Sequence, residues 1–201
     1  MPRREATPEE KAQARTQIRK AAAAVYIREG LSAMSVRSIA KEAGVSVGTI
    51  YTYFGSVQGL MESLWSRPVT QMSEKLQRLA DEIEDPVERI RTLLEAYIQF
   101  ARDNANIYRG VFLYVRPLGK PSQLKDPAED AVFPALLIRA IGEGQAQGQI
   151  RDGNPSDYAM KLWGSLHGCL ALPNNFGRLE FEAPESITDG LVDLLVTALR
   201  K

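Results

Sequence analysis

The segment from Ser35 to Phe54, SVRSIAKEAGVSVGTIYTYF, constrains the fold of this chain more than any other feature. Ser35 can cap a helix by accepting a hydrogen bond from an unpaired backbone amide, and apolar residues then recur at helical spacing. The spacing stops at Gly44, where a residue without a Cβ adopts a left-handed C-cap conformation at little cost. Ser46 can cap a second helix, whose Ile50 and Phe54 lie four residues apart on one face. The pattern predicts two short helices joined by a tight turn.

The outward face of the second predicted helix is small and hydroxylated, which suits a helix that lies in the major groove of DNA. Gly48 lets the backbone approach the duplex closely, and hydroxyl groups can bond phosphates or base edges. Tyr51 and Tyr53 are predicted to reach phosphate oxygens, although Tyr51 could equally pack inward. The predicted DNA-contacting residues of the two helices are Ser35, Arg37, Lys41, Ser46, Val47, Gly48, Thr49, Tyr51, Thr52 and Tyr53.

A longer segment, Arg15 to Leu64, resembles the DNA-binding domain of the TetR family of transcriptional regulators. The resemblance covers an alanine-rich first helix that ends in Glu29-Gly30, and it includes the motifs VRSIA, AGVS, GTIY and the YF pair that follows. It implies a helix-turn-helix domain at residues 1–60 and a larger helical effector-binding and dimerisation domain at residues 61–201. The implied partners are a double-stranded DNA operator and a small-molecule effector.

Two positions depart from the family pattern. Many relatives have a lysine after the capping serine of the recognition helix and another at the start of the fourth helix, where this chain has Val47 and Val57. Fewer neutralised phosphates predict a shallower dependence of binding on salt. Val47 could instead read a thymine methyl group. Positive charge can still come from Arg37 and Lys41 and from arm residues Arg3, Arg4 and Lys11.

Charge and composition are those of an ordinary globular protein. The chain has 201 residues, of which 44% are hydrophobic, and its formal net charge is zero. Residues 1–65 nevertheless carry nine lysines and arginines against six acidic residues. One cysteine, Cys169, and one histidine exclude an internal disulfide and argue against a metal cluster, so no metal and no cofactor are expected. The absence of a long apolar segment predicts a cytoplasmic protein with no membrane partner.

Helical periodicity continues through the rest of the chain, and no strand pattern competes with it. We therefore predict an all-α fold of about nine helices. Pro68 is expected to kink or interrupt the fourth helix, and three prolines between Arg116 and Pro127 predict a loop. The fourth helix is predicted to begin near 56 and to run toward 83. The other predicted helices span about 8–29, 86 to at least 100, 104–114, 128–147, 156–172 and 186–200.

The last two predicted helices carry apolar stripes. Those stripes are Ile187, Leu191, Leu194, Leu195 and Ala198 in the last helix, and Tyr158, Leu162, Leu166 and Leu170 in the eighth. Taken alone, they could be the inner faces of a monomeric core. The resemblance implies instead a homodimer through the last two helices, with recognition helices about 34–36 Å apart on an inverted-repeat operator.

The eighth helix also contains the pattern W-x-x-x-H-G, formed by Trp163, His167 and Gly168, which resembles a C-terminal subtype of the family called the WHG domain. Residues four apart share a helical face, so Trp163 and His167 could line an effector cavity. A lone histidine among apolar neighbours is also commonly a satisfied core residue. The predicted ligand-binding residues are Tyr97, Phe100, Tyr108, Phe112, Phe133, Met160, Trp163 and His167.

These patterns predict a repressor that a small apolar or aromatic molecule releases from its operator. Two alternatives are a transcriptional activator and a nucleoid-associated DNA-binding protein without an effector. An enzyme is disfavoured because His167 and Cys169, two residues apart on a helix, point about 200° apart and cannot form a catalytic pair. No phosphate-binding glycine loop or metal-ligand spacing offers another catalytic site.

Overall fold

A computed structural model describes residues 7–30, 33–112, 132–175 and 188–201 of the chain. The predicted arm residues Arg3 and Arg4, the predicted loop from Arg116 to Pro127 and the predicted start of the last helix at Ser186 lie outside these ranges. The side chain of Phe112 and the stripe residue Ile187 lie outside the described set as well.

Across the described ranges the fold is all-α, which confirms the predicted fold class. Nine helices and no strand are present there, apart from one isolated antiparallel bridge between Ile150 and Arg200. The helices are α1 Pro8–Glu29, α2 Val36–Ala43, α3 Val47–Phe54, α4 Val57–Glu82, α5 Pro86–Asp103, α6 Ala105–Phe112, α7 Val132–Ala146, α8 Pro155–Asn175 and α9 Leu191–Leu199.

The chain divides into two compact units, which we call the N-terminal unit and the C-terminal unit. The N-terminal unit runs to Val69 and includes Arg109–Phe112, and the C-terminal unit holds Thr70–Tyr108 and the chain after Phe112. In the N-terminal unit α1 packs against α2 and α3. Its core consists of buried residues from the first four helices: Ile18, Ala21, Ala22, Ile39, Ala40, Ala43, Ile50 and Leu60.

Helix α4 continues through Pro68, so the expectation that this proline could interrupt the helix is wrong. Proline lacks one N–H and therefore removes one backbone hydrogen bond, whereas α4 has many turns on either side that keep theirs. Ser56 accepts a hydrogen bond from the Gly59 amide at 2.9 Å near the start of this helix. The helix begins at Val57 and ends at Glu82, close to the predicted limits.

The C-terminal unit is built on α5 and α7. Helix α7 packs against α5 and α8, and α9 packs against α5. The large side chains that are fully buried in this unit include Leu76, Ile90, Leu93, Leu94, Tyr97, Tyr108, Leu137, Ile141, Ile150 and Leu166.

The apolar stripe predicted for the last helix is not its buried face. Helix α9 instead buries Val192, Val196 and Leu199, while Leu194 is 66% exposed. The helix is apolar on more than one side, so spacing alone could not decide which side faces α5. The described part of the predicted stripe is therefore left largely outside the core of a single chain.

Candidate nucleic-acid interface and ligand site

Side-chain caps define both helices of the predicted helix-turn-helix. The Ser35 hydroxyl accepts a hydrogen bond from the Ser38 amide, and the Ser38 hydroxyl accepts one from the Ser35 amide, each at 3.1 Å. Ser46 caps α3 by accepting from the Thr49 amide at 3.0 Å. Between the helices Gly44 adopts a left-handed conformation with φ of 66°, as the sequence predicts. The turn is thus fixed by two hydroxyl caps and one glycine.

Helix α1 holds the other ends of the two short helices. The Gln17 amide nitrogen donates to the Ala43 carbonyl at 3.0 Å, at the last residue of α2. The Arg15 guanidinium donates to the Tyr53 carbonyl at 2.7 Å, near the end of α3, and lies 5.6 Å above the Phe54 ring. Carbonyls at a helix C-terminus have no donor within their own helix, so side chains of α1 donate the hydrogen bonds that these carbonyls of α2 and α3 accept.

Sequence reasoning did not single out Gln17, and it named Arg15 only as the start of the matching segment. Neither residue belongs to an apolar stripe or to a capping motif. Their roles depend on which carbonyls α1 meets after packing, and the sequence contains no local signal for that. A further cross-helix pair, Arg28 with Glu42 at 3.0 Å, joins α1 to α2.

The face of α3 opposite Ile50 is exposed. Ile50 is fully buried, whereas Val47 is 36% and Tyr51 49% exposed, so the inward alternative for Tyr51 is not the arrangement adopted. Tyr53 is half-buried and packs against the core of the N-terminal unit, together with Phe54. Thr49 is half-buried. The remaining predicted contact residues are exposed, namely Ser35, Arg37, Lys41, Ser46, Gly48 and Thr52.

In the C-terminal unit, the imidazole of His167 on α8 lies between two tyrosine hydroxyls. Tyr97 on α5 is 3.0 Å from Nε2, and Tyr108 on α6 is 2.6 Å from Nδ1. Tyr97 is fully buried and Tyr108 nearly so. A neutral imidazole has one donor and one acceptor nitrogen, so one hydroxyl donates to the ring and the other accepts from it.

Burial sets the protonation of this group. It lowers the pKa of His167 to about 4, since the charged imidazolium would lose hydration that two neutral phenols do not replace. Burial also raises the pKa of Tyr97 and of Tyr108, because phenolate is likewise disfavoured there. Near neutral pH the group is therefore uncharged.

Two further aromatic residues complete what we call the aromatic cluster, which consists of Tyr97, Tyr108, Phe133, Trp163 and His167. The Phe133 ring stacks on Tyr97 with a centroid distance of 4.4 Å, and the Trp163 ring lies 5.2 Å from His167. Among the described residues the buried indole Nε1 of Trp163 has no hydrogen-bond partner of good geometry, although its N–H is close enough to the Tyr97 hydroxyl to oppose the rise in the pKa of Tyr97. The structure thus gathers five of the predicted ligand-binding residues.

The other predicted ligand-binding residues behave differently. Met160 is 53% exposed on α8 and does not belong to the aromatic cluster. Phe100 is half-buried on α5, and the Phe112 side chain lies outside the described set. The residues described include no group of three or more side chains suited to hold a metal ion. Their helices also include none long and apolar enough to cross a membrane.

Together the two units define a helix-turn-helix protein with a separate helical unit. Residues 18–64 match the family model of bacterial regulatory proteins of the tetR family, and residues 90–199 match the tetracyclin repressor-like C-terminal domain. The second match alone spans more than half of the chain, and the protein therefore belongs to the TetR family. It is a DNA-binding transcriptional regulator and not an enzyme. The WHG subtype stays a prediction.

The curated relatives include nucleoid occlusion factors and a transcriptional repressor. The nucleoid occlusion factor SlmA of Vibrio vulnificus (strain YJ016) is 30% identical over 160 residues, covering 77% of this chain and 78% of that protein. The HTH-type transcriptional repressor SCO4008 of Streptomyces coelicolor is 23% identical and covers 93% of both chains.

Solved structures share the fold. The regulator FadR of Bacillus subtilis in complex with stearoyl-CoA has a TM-score of 0.72 and 21% identity, and the match covers 92% of this chain and 99% of that one. A putative regulator of Saccharomonospora viridis in complex with choline has a TM-score of 0.71 and 21% identity, with 94% and 99% covered. At these identities the likeness concerns the fold alone.

Proposed function

We propose that the protein is a dimeric repressor that leaves an inverted-repeat operator when a small apolar or aromatic molecule binds among α5, α6, α7 and α8. The observation that carries the proposal is the aromatic cluster, in which the buried N–H of Trp163 makes no hydrogen bond of good geometry to any described residue and lies beside the rings of Phe133 and His167. A buried donor without a partner is costly, so a ligand acceptor that took this hydrogen bond would be favoured. The aromatic walls favour a molecule with apolar or aromatic surface.

Contacts within the C-terminal unit connect α5 and α7, which carry part of the aromatic cluster, to the end of α4. Arg89 on α5 is buried and donates to the carbonyls of Ile83 at 2.8 Å and Glu84 at 3.1 Å, in the turn that follows α4. The same guanidinium pairs with Glu143 on α7. Arg139 on α7 also pairs with Asp81 on α4 at 3.0 Å.

Because Phe133 lies on α7, a ligand that displaced its ring would bias the position of α7. That bias would then reach α4 through Arg89 and Arg139. Two structures with this fold hold small molecules, stearoyl-CoA and choline, which is consistent with an effector site in this chain too. A ligand acts on an equilibrium only through its different affinities for the two states.

This mechanism makes a reciprocal prediction. An effector that weakens operator binding must itself bind the operator-bound protein more weakly by the same factor. The measurement is a pair of calorimetric titrations of one effector, with and without saturating operator DNA, after the operator has been isolated from fragments of genomic DNA. Coupling in this family of equilibria is typically about 5- to 150-fold. Equal affinities in the two titrations would contradict the proposal.

A homodimer through α8 and α9 is supported by what these helices leave uncovered. Leu194 is 66% exposed on α9, and α8 exposes Met160 and Leu172 on the same side as Gly164 and Gly168. A Cβ added at either glycine would meet nothing within 4 Å. Faces of small and apolar residues let two helices approach closely, and a second copy of the chain would cover them.

We expect the substitution Leu194→Glu to raise the dimer dissociation constant by about 100-fold or more, since it would place an unpaired carboxylate in the dimer interface. Sedimentation velocity over a concentration series measures this. The matched control is Ile27→Glu, because Ile27 is 69% exposed on α1 and so nearly as open as Leu194. The dimer proposal fails if both variants associate like the parent protein.

A second candidate function is that of a nucleoid-associated DNA-binding protein without an effector. The specific observation in its favour is the match to nucleoid occlusion factors, at 30% identity in Vibrio vulnificus. Sequencing the genomic fragments that the protein retains distinguishes the two. Retention of a few sites beside promoters supports a gene regulator, whereas many sites spread over the chromosome support the second candidate.

A further inference from the structure

We propose that Val47 reads the C5-methyl group of a thymine in each half-site, so that the operator carries an A·T pair beneath the N-terminal turn of α3. This inference rests on the proposed operator binding and adds the chemistry that the recognition helix can read. It assigns a specificity-determining role to one residue and a required base feature to the DNA.

The composition of α3 excludes most other kinds of base recognition. The helix, VGTIYTYF, contains no arginine, lysine, asparagine, glutamine or acidic residue. Those are the side chains that recognise guanine, adenine or cytosine by direct hydrogen bonds in the major groove. Selectivity exerted by this helix must therefore come from its hydroxyl groups or from apolar contacts.

The hydroxyl groups are largely occupied within the helix. Thr52 donates its hydroxyl hydrogen to the Gly48 carbonyl at 2.9 Å. The hydroxyls of Ser46 and Thr49 are hydrogen-bonded to each other at 2.8 Å, and Ser46 also accepts from the Thr49 amide. One of these two hydroxyl hydrogens is consumed in the shared bond. The second hydroxyl hydrogen, the remaining oxygen lone pairs and the exposed phenol of Tyr51 can still bond DNA, but hydroxyl groups accept or donate and so discriminate poorly among the four bases.

Val47 has the geometry for an apolar contact. It is the first residue of α3, its side chain is 36% exposed, and Gly48 follows it without a side chain to hold the duplex away. A β-branched side chain has few rotamers, so little entropy is lost when it is fixed against DNA. The thymine methyl is the apolar feature that bases present in the major groove.

The test uses operator DNA in which thymines are replaced by deoxyuridine, first singly and then at symmetric positions. Uracil keeps every hydrogen-bonding group of thymine and lacks only the methyl. At the contacted position we expect affinity to fall about four-fold for one half-site and about 15-fold for both, from the transfer free energy of one buried methyl group. Affinity is measured by fluorescence anisotropy at fixed salt.

Two variants assign the effect to its residue. Val47→Ala should show a clearly smaller uracil penalty than the parent protein, because it lacks the two γ-methyl groups of valine and keeps only the Cβ. Val57→Ala is the matched control, since Val57 is half-buried on α4 outside the recognition helix, and it should keep the full uracil penalty. Val47→Ala is expected to fold, because its side chain is exposed and alanine favours helix.

The outcomes separate the two proposals. If the parent protein binds its operator but no uracil substitution weakens binding, or if Val47→Ala keeps the full uracil penalty, the assignment to Val47 is overturned while operator binding stands. If no DNA sequence is preferred over any other, sequence-specific operator binding fails and this inference fails with it.

Discussion

Replacing Ile39 with alanine is expected to destabilise the N-terminal unit by about 2–5 kcal/mol and to abolish operator binding. Ile39 is fully buried in a cluster whose other buried residues larger than alanine are Ile18, Ile50 and Leu60, with six partly buried hydrophobic residues packed against them: Met34, Val36, Val45, Tyr53, Phe54 and Leu64. Truncation to alanine removes buried methyl and methylene groups and leaves a cavity that the surrounding helices close only in part. A loss of this size is a large fraction of the free energy of unfolding of a small folded unit.

The chain offers its own spectroscopic reporter and its own control for this prediction. Its two tryptophans are Trp65 in the N-terminal unit and Trp163 in the C-terminal unit. Urea unfolding followed by Trp65 fluorescence in a Trp163→Phe background therefore reports the N-terminal unit, where Trp65 contacts the Tyr26 ring. Ile27→Ala makes the same chemical change at a residue that is 69% exposed, and should alter stability by less than about 0.5 kcal/mol. Similar losses in both variants would mean that burial of Ile39 is not the cause.

Acidification is expected to remove about 3 kcal/mol of stability through His167 alone, between about pH 6.5 and pH 4. The ordinary pKa of histidine is 6.5, and burial lowers that of His167 to about 4. Above pH 6.5 the imidazole is neutral in both states. As the pH falls toward 4, the unfolded chain binds a proton that the folded chain does not, so the free energy of unfolding decreases. Below pH 4 both states are protonated and the loss levels off.

Measurement is simplified because His167 is the one histidine of the chain. Its imidazole signals in an NMR titration should show the lowered pKa directly. In parallel, the pH dependence of unfolding is compared with that of His167→Gln, whose amide can still donate to one tyrosine hydroxyl and accept from the other but does not titrate. The difference between the two curves isolates His167 from the carboxylates. A pKa near 6.5 in the folded protein, or identical curves, would refute the prediction.

The helix-turn-helix could be predicted from sequence because its determinants are local. Ser35, Gly44 and Ser46 each interact with backbone groups only a few residues away. The residues that identify the motif in the sequence are therefore also the residues that cap its helices. The family model that matches residues 18–64 confirms the resemblance drawn from these residues. Ile50 was placed correctly for a related reason, since α3 has one clearly apolar side.

The faces of the later helices could not be predicted in the same way. Helix α9, LVDLLVTAL, is apolar on most sides, and packing against α5 selects Val192, Val196 and Leu199 over the stripe that includes Leu194. The contacts of His167 are another case, because the two phenols that meet it come from residues 70 and 59 positions earlier in the chain. Periodicity identifies a helical face, but it does not identify which distant helix that face meets.

The hydrogen bonds of α1 to the ends of α2 and α3 limit which segments of this protein can be exchanged with those of a relative. Gln17 and Arg15 complete the carbonyl ends of two helices that lie well over twenty positions further along the chain. A chimaera that received only the recognition helix, or only residues 35–54, would therefore leave those carbonyls to water and lose the stacking on Phe54. A change of operator by exchange between relatives should move α1, α2 and α3 as one piece, because helix order along the chain does not mark where the unit can be cut.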